Sequence, residues 1–148
     1  MSSEGFSPCR PGLWVVAVVP ALNEQLTVGA TIRALLRAGV ASVIVVDDGS
    51  ADCTGQIAAD AGAAVVRRER NGGKGVAVAV GLSLARDQAQ AVGRAQAVGR
   101  AQACAPRADI DPGCVVFADA DLGDSAEEIA KVIAPVADGS ADMAVAGF

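Results

Sequence analysis

Four short apolar runs alternate with segments of helical spacing along this chain, and that alternation leaves few folds open. Residues 13–19, 42–46, 63–66 and 114–118 are nearly continuous in Val, Ile, Ala or Leu. A strand with one wet face alternates apolar and polar side chains, whereas a continuous apolar run is buried on both faces. Between the runs, Val28, Ile32, Leu35 and Leu36 recur at helical spacing before Gly39, and Ile57, Ala58 and Ala61 do so before Gly62. The pattern predicts a further helix over 76–86. Ser125 and Glu128 have the spacing of a capping box, ahead of Ile129, Val132, Ile133 and Val136 on one helical face. Pro20 is expected to close the first strand, and residues 142–146 to form a fifth. The predicted fold is a three-layer, doubly wound α/β domain: a mostly parallel, Rossmann-like sheet with helices on both faces. It should occupy 13–148, after a loose tail at 1–12 that carries Pro8, Pro11 and Gly12.

Length and charge narrow the function. A chain of 148 residues suits one domain with a real core. With 12 basic and 17 acidic residues, net charge −5, no basic patch is visible for a nucleic acid. The chain has no His, which removes Ser-His-Asp and Cys-His catalysis and His-ligated zinc. Cys9, Cys53, Cys104 and Cys114 show no CxxC spacing and are read as incidental thiols of a reducing, cytoplasmic compartment. The longest uncharged apolar run, 13–22, has 10 residues, against about 20 for a membrane helix. A six-residue unit, Ala-Gln-Ala-Val-Gly-Arg, occurs at 89–94 and again at 95–100, and restarts at Ala101. That period turns a helix by about 600°, so no face stays apolar. The repeat is expected to be a tandem insertion at about 88–105, mobile or partly helical, lengthening a surface connection.

The polar punctuation after the runs carries the chemistry. Asp119 and Asp121 follow the fourth run directly; at i and i+2 on extended backbone their carboxylates share a side. Such a pair suits a hard divalent cation, Mg²⁺ or Mn²⁺, whose shell phosphate oxygens and water complete. Pro20-Ala-Leu-Asn-Glu24 follows the first run, where Asn23 could equally cap a helix. Asp47-Asp48-Gly49-Ser50 follows the second; its residue types alone are those of any turn. Gly72-Gly-Lys-Gly75 is a cationic loop at a helix start, suited to phosphate. It is not a Walker A loop, because Arg68 stands where the earlier Gly belongs and no Ser or Thr follows Lys74. It is not GxGxxG either, since Val78 follows at the third Gly position.

In this order, Pro-Ala-Leu-Asn-Glu (20–24), Val-Val-Asp-Asp-Gly-Ser-Ala-Asp-Cys-Thr (45–54), Asn-Gly-Gly-Lys-Gly-Val-Ala (71–77) and Phe-Ala-Asp-Ala-Asp-Leu (117–122) resemble the donor-binding half of a family 2 glycosyltransferase. The branch most resembled is that of the dolichyl-phosphate mannose and glucose synthases. The resemblance implies a GT-A fold and a nucleoside-diphosphate sugar, UDP- or GDP-linked, as donor. It implies nucleotide-sugar contacts at Pro20, Ala21, Asn23, Glu24, Asp48, Gly73, Lys74 and Asp119. Ala21, Asn23 and Glu24 would lie around base and ribose, and Asp48 would accept from the base imide N–H. Lys74 would approach the diphosphate or sugar. Asp121, with Asp119, would hold the Mg²⁺ or Mn²⁺.

The resemblance also implies an acceptor, a hydroxyl or a lipid phosphate, bound by a part of the family fold that lies beyond residue 148. No acceptor base is identifiable among 1–148, so the chain is expected to be the donor half of a transferase truncated at its C-terminus. A lipid-linked acceptor would place it at the inner face of a membrane, and a homodimer is allowed. In this branch a Gln often continues the Asp-x-Asp-Leu motif; here Gly123 stands there, and Asp124 is read as favouring a helix N-terminus. Two alternatives stay open: an inactive nucleotide-sugar-binding remnant, and a sugar nucleotidyltransferase. The latter should carry a Gly-rich, Arg-containing loop after its first strand, where this chain has Pro-Ala-Leu-Asn-Glu.

Overall fold

A computed structural model describes residues 14–99 and 113–145. The tail expected at 1–12 and the repeat beyond Gly99 lie outside those residues. The elements are β1 (Val16–Ala21), α1 (Val28–Arg37), β2 (Ser42–Asp47), α2 (Thr54–Asp60), β3 (Ala64–Arg67), α3 (Lys74–Gly99), β4 (Val115–Phe117) and α4 (Ile129–Ala137), the last preceded by a 3₁₀ segment, Gly123–Glu128. The strands form one sheet in the order β3-β2-β1-β4, with every pairing parallel. The predicted three-layer α/β architecture is therefore what this sequence forms.

Alternation along β1 and β2 builds the layers. Val15, Ala17, Val19, Val43 and Val45 face one core, shared with Val28, Ile32 and Leu35 of α1, Ala58 of α2 and Ile129 and Ile133 of α4. Val16, Val18, Ile44 and Val46 face the other, covered by Ala77 and Ala85 of α3. Full burial of each such Val or Ile contributes about 1.5–3 kcal/mol. The α3 seam is Ala77, Gly81 and Ala85, one small residue per turn, all buried. A Cβ built on Gly81 would lie 2.2 Å from Val18 Cγ1, so α3 reaches the sheet only because this position has no side chain.

Several boundaries depart from expectation. Pro20 does not close β1, which starts at Val16 and runs on through Ala21 opposite Asp47. Val16 N–H donates to Cys114 O and Ala118 N–H to Val18 O, so the even positions of β1 face β4. The β4 pairing ends at Val18, so the missing N–H of Pro20 costs no ladder bond. β4 stops at Phe117, short of the expected Ala118. Leu36 is 37% exposed and lies off the core face of α1, where buried Thr31 stands instead.

Ser125 and Glu128 make no capping box. They sit inside the 3₁₀ segment, Ser125 Oγ donates back to Leu122 O at 2.8 Å, and Glu128, which precedes α4, makes no side-chain cap bond. The 3₁₀ bonds, such as Ser125 N–H to Leu122 O, already occupy donors that a cap would serve. Residues 142–145 form no strand: Met143 and Val145 are 78% and 80% exposed. Their composition suits a strand, but no neighbouring strand among the described residues pairs with them.

Helix α3 starts at Lys74 rather than 76 and continues through Gly99, past the predicted end at 86 and into the repeat. Ala, Gln and Arg are strong helix formers, and intrinsic propensity needs no apolar face. Deleting residues 89–100 is expected to leave the melting temperature nearly unchanged, because the described contacts of α3 with the sheet run from Ala77 to Gln88, whose Oε1 accepts from Ser42 Oγ at 3.3 Å. A loss of several degrees in a thermal melt would show that the repeat packs on the domain.

Candidate nucleotide-sugar site

In an all-parallel sheet the loops after the strands share one edge, and a ligand crevice opens there where strand order reverses. Here that place is between β1 and β4, so the loops at 22–27 and 118–122 flank it, with 48–53 and 68–73 alongside. Hydrogen bonds stitch these loops together.

The loop after β1 rests on the loop after β2. Asn23 N–H donates to Ser50 Oγ at 2.9 Å and Glu24 N–H to Thr54 Oγ1 at 2.8 Å. Asn23 Oδ1 accepts from Ala51 N–H at 2.8 Å. Asn23 is thus no helix cap; Thr27 precedes α1, and Asn23 takes φ +55, a left-handed conformation that Asn tolerates better than most residues. The Glu24 carboxylate stays local, accepting from the Thr27 hydroxyl at 3.2 Å. Pro20 and Ala21 lie within β1, with Ala21 buried.

Asp47 and Asp48 are both buried, with different work. Asp47 Oδ1 accepts from Ser50 N–H at 2.8 Å and closes the turn, in which Gly49 has φ +86. Asp47 Oδ2 has no hydrogen bond; Arg67 Nε stands 4.0 Å away, and the same guanidinium donates to Ser50 O at 2.8 Å. Asp48 ties the loop after β2 to the loop after β3. It accepts from Gly73 N–H at 2.9 Å, from Gly72 N–H at 3.1 Å and from Arg68 Nη1. The Gly72 N–H is shared between the two oxygens, so Oδ1 and Oδ2 each accept two contacts.

Burial pushes the Asp48 carboxyl up, but the Gly72 and Gly73 N–H groups and the Arg68 guanidinium outweigh it and hold the pKa below the usual range. Asp52 is also lowered, first by the Thr54 hydroxyl, against some burial, and further by the N–H groups of Thr54 and Gln25. A pKa lower in the folded than in the unfolded chain gives stability that is present above the unfolded value, about 3.9. That stability disappears as pH falls through the folded value. The melting-temperature gap between the parent chain and Asp48→Asn is therefore expected to be constant from pH 7 to about 5 and to close below about 4. A gap that widens on acidification would contradict this.

Asp119 and Asp121 are exposed, with buried Ala120 between them. They lie beyond β4, in the turn that follows it, so the extended-strand reading of their shared side applies only through the exposure pattern, which alternates from Val116 to Asp121. Lys74 Nζ pairs with Asp119 Oδ1. Gly73 and Lys74 are consecutive, one on Asp48 and the other on Asp119, so one dipeptide contacts both predicted halves of the site. Asp124 does not join the carboxylate pair; its Oδ1 accepts from Arg37 Nη2 at 3.2 Å.

As a test of fit for a divalent metal, the donor set is two exposed carboxylates. Among the described residues no group of three or more Asp, Glu, His or Cys gathers in one place. Two hard oxygen donors suit Mg²⁺ or Mn²⁺ when diphosphate and water supply the remaining positions. Arg68 at Asp48 gave no signal in the sequence. Thr31, under the 120–123 turn, did give one: it is a polar residue on the apolar face of α1.

The chain is 30% identical over 131 residues to an uncharacterised protein of Methanocaldococcus jannaschii, a match covering 88% of this chain and 45% of that one. It is 49% identical over 63 residues to glucosyl-3-phosphoglycerate synthase of Mycolicibacterium smegmatis, covering 40% of this chain and 21% of the synthase. It thus spans less than half the length of either relative. A crystal structure of a mycobacterial protein aligns with a TM-score of 0.57 at 29% identity, over 86% of this chain and 38% of that one. No helix among the described residues is long and apolar enough to cross a membrane. The sequence profile of Glycosyl transferase family 2 matches residues 16–148, and the chain belongs to that family.

Proposed function

We propose that residues 14–99 and 113–145 form the donor site of a glycosyltransferase that takes a nucleoside-diphosphate sugar and, in the whole protein, passes the sugar to an acceptor hydroxyl or phosphate. The observation that carries this reading is the junction at Gly73–Lys74, which joins buried Asp48 to exposed Asp119 at the edge where β1 and β4 meet. Asp48, with Asn23 and Glu24 nearby across the Ser50 and Thr54 contacts, holds the base side of a nucleotide. An imide N–H, which uracil and guanine carry, would take the place on Asp48 of a donor already there, such as the Arg68 side chain. Lys74 supplies positive charge on the diphosphate side, and Asp119 and Asp121 would hold Mg²⁺ or Mn²⁺. A metal bound there would stabilise the charge that develops on the departing nucleoside diphosphate.

The acceptor has two candidates, both phosphorylated. The motif resemblance to the dolichyl-phosphate synthases favours a lipid phosphate, which would bring the protein to a membrane face. The similarity to glucosyl-3-phosphoglycerate synthase favours phosphoglycerate. The whole protein that carries this domain, incubated with Mn²⁺, UDP-glucose or GDP-mannose, and each acceptor in turn, should release nucleoside diphosphate only when the right pair is present. Donor binding without release would support a binding module. Pyrophosphate release from a nucleoside triphosphate and a sugar phosphate would instead support a nucleotidyltransferase.

A further inference from the structure

We propose that Thr31, in the first turns of α1, is a positioning residue for the Asp119–Asp121 carboxylates. The proposal rests on the metal role given to that pair above. Thr31 is fully buried, yet its hydroxyl serves a loop about 90 residues away in sequence. Thr31 Oγ1 lies 2.9 Å from Ala120 O and 3.1 Å from Thr27 O, and Gly123 N–H donates to it at 2.8 Å. A hydroxyl has one proton. Thr27 O already accepts the Thr31 backbone N–H at 3.0 Å, so the proton is better used on Ala120 O. The same oxygen then holds both ends of the turn that contains Asp121 and Leu122.

The strand does not hold this turn. The last sheet bond before it is Ala118 N–H to Val18 O, and β4 itself ends at Phe117. Arg37, further along α1, grips the far side through Asp124 and Glu127. Helix α1 therefore fixes 120–127 from beneath and leaves Asp119 and Asp121 exposed above. Two carboxylates bind a cation tightly only when their spacing is fixed before it arrives, and groups that orient metal ligands are typically worth 10–100-fold in affinity. Thr31 does not touch the cation; its effect passes through the Ala120 and Gly123 backbone.

The test is Mn²⁺ binding to the chain in the presence of UDP, followed by the electron paramagnetic resonance signal of free Mn²⁺. The variants are Thr31→Val, Thr31→Ser and Asp121→Ala, with UDP binding in EDTA measured alongside. Thr31→Val keeps the side-chain volume and loses the hydroxyl, and should weaken Mn²⁺ about 10–100-fold while leaving EDTA-resistant UDP binding unchanged. Thr31→Ser keeps the hydroxyl and should bind Mn²⁺ as the parent does, an arm that reads even if Thr31→Val fails to fold. The proposal is overturned if folded Thr31→Val binds Mn²⁺ normally, or if folded Thr31→Ser loses it, while Asp121→Ala abolishes binding. If Asp121→Ala binds Mn²⁺ like the parent, the metal reading of the site fails first, and the role of Thr31 with it.

Discussion

Replacing Asp121 by alanine should leave the chain folded and remove the metal-dependent part of its nucleotide affinity. The side chain is exposed and makes no described contact with the core, so its loss should change stability by no more than about 0.5 kcal/mol. Among the described residues its carboxylate is one of two assigned to the cation, and the loss should exceed the roughly 10–100-fold typical of groups one step removed from a metal. Calorimetric titration of UDP with Mn²⁺, beside a circular-dichroism melt, measures both quantities. An unfolded variant would make Asp121 a structural residue. Unchanged Mn²⁺-dependent affinity would remove it from the site.

The second large effect is on the fold. Gly81→Val is expected to destabilise the domain by about 1–3 kcal/mol through overpacking, or roughly 2–4 °C in melting temperature per kcal/mol for a domain of this size. Valine at a helical position gains a few tenths of a kcal/mol over glycine in propensity. That gain is smaller than the cost of opening the α3–sheet seam, where even a Cβ would sit 2.2 Å from Val18 Cγ1. Relaxation would have to move α3 off β1 and so disturb Lys74 at its first turn, weakening the link to Asp119 as well. A melt that matches the parent would show that α3 packs less closely than described.

The sheet was legible because Val-rich runs buried on both faces have no other use, and the loops after them follow from its parallel sense. The misread ends have local causes. Pro20 looked like a terminator because its position relative to β4 cannot be seen until strand order is known. Residues 142–145 had strand composition without a described partner, and Ser125 had capping chemistry in a turn that closed by 3₁₀ bonds instead.

The site was legible in its motif residues and opaque in what holds them. Asp48 reads as a turn aspartate or as a base contact. That Arg68, Gly72 and Gly73 all converge on it depends on β2 and β3 being neighbours. Thr31 was visible as a polar interruption of an apolar face, but its partners at 120 and 123 become apparent only when α1 lies against the 3₁₀ segment. Long-range hydrogen bonds of this kind leave no periodicity to read.

The most direct measurement is calorimetric titration of UDP and of GDP into the purified chain, first with Mn²⁺ and then with EDTA. An intact donor site predicts binding of one nucleotide that strengthens at least tenfold with Mn²⁺ and falls back in EDTA. A folded chain that binds neither nucleotide in either condition would contradict a donor site here.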